Sequence, residues 1–214
     1  MLKPSDQVTA LQVTALILAG GQSSRMGTDK ALTLWQGVPL LQRVVEVAHQ
    51  CCGAVSILTP WPERYQDLVF DPTHGGSIQW LMESAQNMGP MGAFAQGLEA
   101  ITTPWVLLLA CDLPQLDPSI LLAWMNQLPV QRSASTAIAY VPYHQSWWEP
   151  LCGLYHRDCR AGLEAFLSEG GRSFQKWLSQ QSVISLAVDG AIAPMLQNCN
   201  SPQDLTSPMN GSQG

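Results

Sequence analysis

The sequence predicts an α/β fold, a Rossmann-like three-layer sandwich with a mostly parallel central sheet. Segments of strand length recur at Val13 to Leu18, Ala54 to Leu58 and Val106 to Ala110, with unbroken apolar runs at Ala15 to Leu18 and Val106 to Ala110. Helical patterns lie between them, and strands alternating with helices imply a parallel sheet covered on both faces. Ligands of such sheets bind beyond the carboxyl ends of the strands. A glycine-rich loop after Leu18, then Asp71 and Asp112, all fall at such ends in this reading.

Composition bounds the rest. A chain of 214 residues with 46% hydrophobic and 12% charged residues can bury a sizeable core. Length and pattern suggest a polar lead-in over 1–12, one catalytic-sized domain over 13–205 and a tail over 206–214. The net charge of −6 argues against a general nucleic-acid binder, which shows a basic surface. None of the six cysteines forms a C-x-x-C pair, so reduced, buried thiols are expected. Residues 1–10 lack the apolar centre of a signal peptide. No apolar run approaches the roughly 18 residues of a membrane span. The expectation is a cytoplasmic protein without a membrane partner.

The elements follow in order. Val13 to Leu18 reads as a buried strand. Residues 39–49 carry apolar positions at helical spacing, with Pro39 suited to the first turn. Ala54 to Leu58 is the second strand, stopped by Pro60. Glu63 to Leu68 reads as a short helix, and Val69-Phe70 as a third strand ending at Asp71. Residues 72–88 read as a loop with a partly helical stretch from Ile78. Gly89-Pro90 marks a turn, and Met91 to Ile101 a helix despite its glycines. Val106 to Ala110 is apolar throughout, as a strand buried on both faces should be. Pro118 to Leu128 is a helix with Asp117 as N-cap. Beyond it, strands are expected at 136–141, 151–155 and 183–188, and helices at 157–169 and 173–181. Trp147-Trp148 is expected in the core or at a partner contact rather than stacked on a ligand. The four histidines show no metal-ligand spacing.

The loop after the first strand is the most informative stretch. Leu18-Ala19-Gly20-Gly21 is followed by Arg25-Met26-Gly27 and then by Lys30. Backbone N–H groups of such a loop can cradle an anion, and two spaced cations suit a nucleoside triphosphate. Neither a Walker A loop nor G-x-G-x-x-G is present.

That pattern resembles the active-site loop of the molybdenum cofactor guanylyltransferases, within the nucleotidyltransferase superfamily. Cys111-Asp112-Leu113-Pro114 is similar to the family's Cys-Asp-x-Pro motif. Gly89-Pro90-Met91-Gly92-Ala93 resembles its Gly-Pro-Leu-Ala-Gly turn with the small residues reordered. The stretch from Glu149 to Tyr155 resembles a second block, near the pterin pocket, and Asn198 to Asp204 the closing block. The resemblance covers about residues 13–205.

The resemblance implies residue roles. Leu18, Ala19, Gly20 and Gly21 would meet the nucleotide through the backbone. Arg25 and Lys30 would neutralise its phosphates. Asp71 would read the guanine base, whose two adjacent N–H donors match a carboxylate. Asp112 would hold Mg²⁺, which takes one or two carboxylates together with substrate phosphates. The family's asparagine after the second strand is replaced by Thr59, and Asn200 is a candidate for the metal or phosphates.

The implied reaction is transfer of GMP from GTP to the molybdenum-molybdopterin cofactor, with release of pyrophosphate. Arg25, Lys30 and Asp112 would be its catalytic set. Molybdenum-insertion or molybdoenzyme-specific proteins would be its partners. On the residues alone, other readings stay open: CTP in place of GTP, a sugar-phosphate acceptor, or a non-catalytic nucleotide-binding partner of molybdoenzymes.

Overall fold

The computed structural model describes residues 12–20, 29–70, 77–84, 89–129 and 136–199. Strand β1 (Val13–Leu18) lies inside the main sheet, with every residue buried. After it come a 3-10 turn at Lys30–Leu32 and a small hairpin, β2 (Leu34–Trp35) with β3 (Val38–Pro39). Helix α1 (Leu40–Cys51), strand β4 (Ala54–Thr59) and a 3-10 turn at Pro62–Tyr65 follow. Then come β5 (Ser77–Met82), α2 (Gly89–Ala100), β6 (Trp105–Ala110) and α3 (Pro118–Met125). The last third holds β7 (Ala139–His144), β8 (Trp147–Trp148), β9 (Cys152–His156), α4 (Cys159–Ser168), α5 (Phe174–Leu178) and β10 (Val183–Ala187).

Among the described residues the sheet runs β10-β7-β9-β6-β1-β4-β5, with β8 hydrogen-bonded to β7. β1 pairs parallel with β4 and β6, and β4 parallel with β5. β9 runs antiparallel between β6 and β7, so β7 points the same way as β6. The expected sandwich is present. On one face Ala15, Ile17, Leu107 and Leu109 meet Leu41, Val44 and Val45 of α1 and Leu121 of α3. On the other, Leu16, Leu18, Val106 and Leu108 meet Phe94 of α2, Leu163 of α4 and Trp177 of α5. Cover on both faces is why β6, and β1 apart from Thr14, are apolar without alternation.

Gly97 explains how α2 lies so close to β1. A Cβ there would run into the Leu16 side chain. The glycine that weakens the helical pattern is the one that lets the layers meet.

The structure corrects several expectations. Residues 68–70 form no strand, and the strand beside β4 is β5, in a stretch whose apolar residues suggested a helix. Ile78 and Trp80 pack toward the α1 face and Leu81 toward the α2 face, while Met82 is exposed. An edge strand of that kind has no clean two-residue period. The short helix at 63–68 is a 3-10 turn. The β2–β3 hairpin was not anticipated; it turns at Gln36 and Gly37, both with positive φ (52° and 81°). Trp147 is not a core residue: it is 61% exposed on β8. The lead-in up to residue 11, the tail and most of the 198–205 block lie outside the described residues.

Candidate active site

Parallel pairing decides where the loops meet. Leu18 stands opposite Leu58 on β4 and opposite Ala110 on β6. The ladder continues one step past the strands. Ala19 N–H donates to Leu58 at 2.9 Å, Cys111 N–H to Leu18 at 3.3 Å and Glu83 N–H to Thr59 at 2.9 Å. Gly20, Glu83 and Asp112 therefore leave the sheet at the same carboxyl edge.

Lys30 reaches across that edge, and its ammonium pairs with Asp112 Oδ2. The two side chains are only 20% and 14% exposed. A cation and a carboxylate from segments 82 residues apart thus meet where the glycine-rich segment begins. Asp112 Oδ1 is buried without a hydrogen-bond partner among the described residues. The Asp112 carbonyl accepts from Cys199 N–H at 2.9 Å, and the Pro114 carbonyl accepts from Arg43 Nε at 3.2 Å. These bonds hold the turn after β6 from both sides.

Glu83 is the residue the sequence reading missed. It follows β5 directly, as Asp112 nearly follows β6. A Cβ on Gly20 would strike its carboxylate and would lie 3.0 Å from the Pro60 ring. Burial pushes the Glu83 carboxyl above its ordinary value. No hydrogen bond of that carboxylate is seen among the described residues. The available signal was an acid after the run Trp80-Leu81-Met82, hidden by the misplaced third strand. The strand that pairs with β4 is β5; Asp71 lies outside the described residues.

Of the other expected residues, Leu18, Ala19, Gly20, Lys30 and Asp112 come together. Gly21, Arg25 and Asn200 lie outside the described residues. Thr59 is fully buried, and its hydroxyl accepts from Trp61 N–H at 3.2 Å, so it does not face the crevice. Burial first, and then the Asp112 charge, push the Cys111 thiol up to about 12. It stays protonated at neutral pH and is no nucleophile. All six cysteines are free thiols, as expected.

A divalent cation fits this site. Asp112 Oδ1 is a buried acceptor without a proton donor among the described residues, which a hard cation favouring oxygen would satisfy. No group of three or more His, Cys, Asp or Glu side chains able to hold a metal exists among the described residues. That suits an ion whose remaining ligands are water and substrate phosphate. No helix of the described residues is long and apolar enough to cross a membrane.

A family model for the MobA-like NTP transferase domain matches residues 15–183, from β1 to the start of β10. The chain belongs to this family. It is 50% identical over 193 residues to a protein of Trichormus variabilis named a probable molybdenum cofactor guanylyltransferase, covering 90% of this chain and 88% of that one. A Synechococcus elongatus protein with the same name is 40% identical over 196 residues, covering 91% and 96%. Among solved structures, the molybdopterin-guanine dinucleotide biosynthesis protein A of Archaeoglobus fulgidus superposes with a TM-score of 0.69, covering 90% and 94%. A nucleotidyl transferase of Methanothermobacter thermautotrophicus gives 0.65 over 90% and 93%. At 19% and 16% identity these two likenesses show the fold.

Proposed function

We propose that this member of the MobA-like family transfers GMP from GTP to molybdenum-molybdopterin, releasing pyrophosphate and forming the guanine dinucleotide cofactor. The observation that carries the reading is the pairing of Lys30 with Asp112 at the carboxyl edge, with Asp112 Oδ1 buried and without a hydrogen-bond partner among the described residues.

The residues take these roles. The main chain of Leu18 to Gly21 would cradle the triphosphate, and Gly20 gives the close approach that a side chain would block. Lys30 would turn from Asp112 toward the phosphates, with Arg25 beside it, to neutralise charge growing on the departing pyrophosphate. Asp112 would hold Mg²⁺. When bound, the ion supplies charge neutralisation at phosphate oxygens. The acceptor phosphate is already anionic, so no side-chain nucleophile is needed. This agrees with the protonated Cys111. Catalysis then rests on alignment and electrostatics.

The guanine base needs a carboxylate for its paired donors. Asp71 was the sequence candidate. Glu83 now has the stronger support, because its half-buried carboxylate stands against Gly20 without a hydrogen-bond partner among the described residues.

The test is to incubate the protein with GTP, Mg²⁺ and molybdenum-molybdopterin and weigh the products. Guanine dinucleotide and one pyrophosphate per turnover support the proposal. Turnover with CTP but not GTP, or GTP binding without pyrophosphate, would replace it by the cytidine or the non-catalytic reading.

A further inference from the structure

Tyr65 ends the 3-10 turn after β4 and is 1% exposed. Its ring stacks on Trp80 of β5, with centroids 5.9 Å apart and planes 7° from parallel. Its hydroxyl donates to Asp29 Oδ2 at 2.9 Å and lies 3.3 Å from the Ala19 carbonyl. Ala19 and Asp29 stand on either side of the glycine-rich segment. One buried hydroxyl thus joins the residue where that segment leaves β1 to the residue just before Lys30.

Asp29 is well built for this link. Its other oxygen caps the turn that carries Lys30, accepting from Ala31 N–H at 3.1 Å. Arg64, next to Tyr65, lies 3.5 Å from Asp29 Oδ2 and stacks over the Trp61 ring at 4.0 Å. Burial, followed by the charge of Asp29, pushes the Tyr65 hydroxyl above its usual range. The phenol therefore remains a donor at any physiological pH.

We propose that Tyr65 is a positioning residue for nucleotide binding: through Asp29 it fixes the turn bearing Lys30 and holds it at a set distance from Ala19. This rests on the reading of Lys30 as the phosphate-binding cation. The hydroxyl is buried and faces Asp29, the Ala19 carbonyl and the buried Thr59 hydroxyl rather than the crevice, so Tyr65 acts on the nucleotide through Asp29 and the main chain. Trp80 holds the ring from below, so removing the oxygen alone leaves the packing in place.

The experiment uses the full chain with Tyr65→Phe, Asp29→Ala and the double variant, reading the KM for GTP, the KM for the acceptor and Tm. Tyr65→Phe is expected to raise the KM for GTP about tenfold, with the acceptor KM within twofold. The double variant is expected to be no worse than the poorer single one, because both break the same link. Additive losses in the double variant, or an unchanged KM for GTP in Tyr65→Phe, would overturn the proposal. Should Asp29→Ala fail to fold, Asp29→Asn serves: its amide oxygen still accepts from Tyr65, so it must keep a KM nearer wild type than Tyr65→Phe does. A wild-type protein without GTP turnover would instead sink the functional reading, so the two failures are distinguishable.

Discussion

Replacing Glu83 by alanine separates base recognition from phosphate binding. The Glu83 carboxylate stands against Gly20, half withdrawn from water and without a hydrogen-bond partner among the described residues. Its backbone is pinned by the bond to Thr59, so truncation should leave β5 in place. Guanine presents a ring N–H beside an amino group, and adenine presents a ring acceptor there. A hydrogen bond to a charged group contributes about 1.5–3 kcal/mol. At about 1.4 kcal/mol per tenfold, its loss weakens GTP binding roughly 10- to 150-fold. Part exposure of Glu83 places the expected value in the lower half of that range. Binding of ATP should improve or stay level, and Tm should not fall, because a poorly solvated charge has been removed. Titration calorimetry with both nucleotides and a thermal melt give the three numbers. The sign with pH also follows. Both oxygens accept from the paired donors only when the carboxylate is ionised, and burial raises its pKa above the ordinary glutamate value. GTP affinity should therefore fall on acidification sooner than for an ordinary glutamate, and this slope should vanish in Glu83→Ala. GTP affinity within twofold of wild type, with guanine still preferred, would refute the assignment and return base recognition to Asp71.

Other outcomes follow from the same structure. Gly97→Ala forces a methyl into the Leu16 side chain. Overpacking should cost about 1–3 kcal/mol, a fall in Tm of roughly 2–12 °C for a chain of this size, with the KM for GTP unchanged in the cold. Expressed as free energies, Lys30→Ala should cost GTP binding more than it costs fold stability, since the pair it breaks sits at the site; steady-state kinetics with a parallel melt checks this. Alkaline pH should destabilise the fold. Unfolded thiols lose protons from pH 9.0 upward, while burial keeps Cys51 and Cys111 protonated to about 12. The folded state binds more protons in that window, so stability drops there by up to about 1.4 kcal/mol per pH unit for each thiol. Urea unfolding at pH 8 and pH 10 reads the difference.

The fold was legible where burial is complete. β1 and β6 are covered on both faces, so apart from Thr14 their sequences are apolar and their ends mark the crevice. The same grammar exposed Asp112. β5 was illegible because it borders the sheet on one side only. Its residues divide among two cores and open solvent, which erases the alternation. Val69-Phe70-Asp71 imitated the missing strand end, and so Glu83 went unseen. Tyr65 could not have been found from spacing. Its role depends on three loops meeting, and only the fold brings Ala19, Asp29 and Tyr65 together. Thr59 shows the reverse case: a hydroxyl at a strand end that sequence left open, which the structure turns inward.

The most direct measurement is pyrophosphate release by Asp112→Asn under single-turnover conditions, with GTP, Mg²⁺ and molybdenum-molybdopterin saturating. Asparagine preserves the shape and removes the charge that meets Lys30. The expected rate is at least about 100-fold below wild type, with secondary structure unchanged. A rate within twofold of wild type would contradict it.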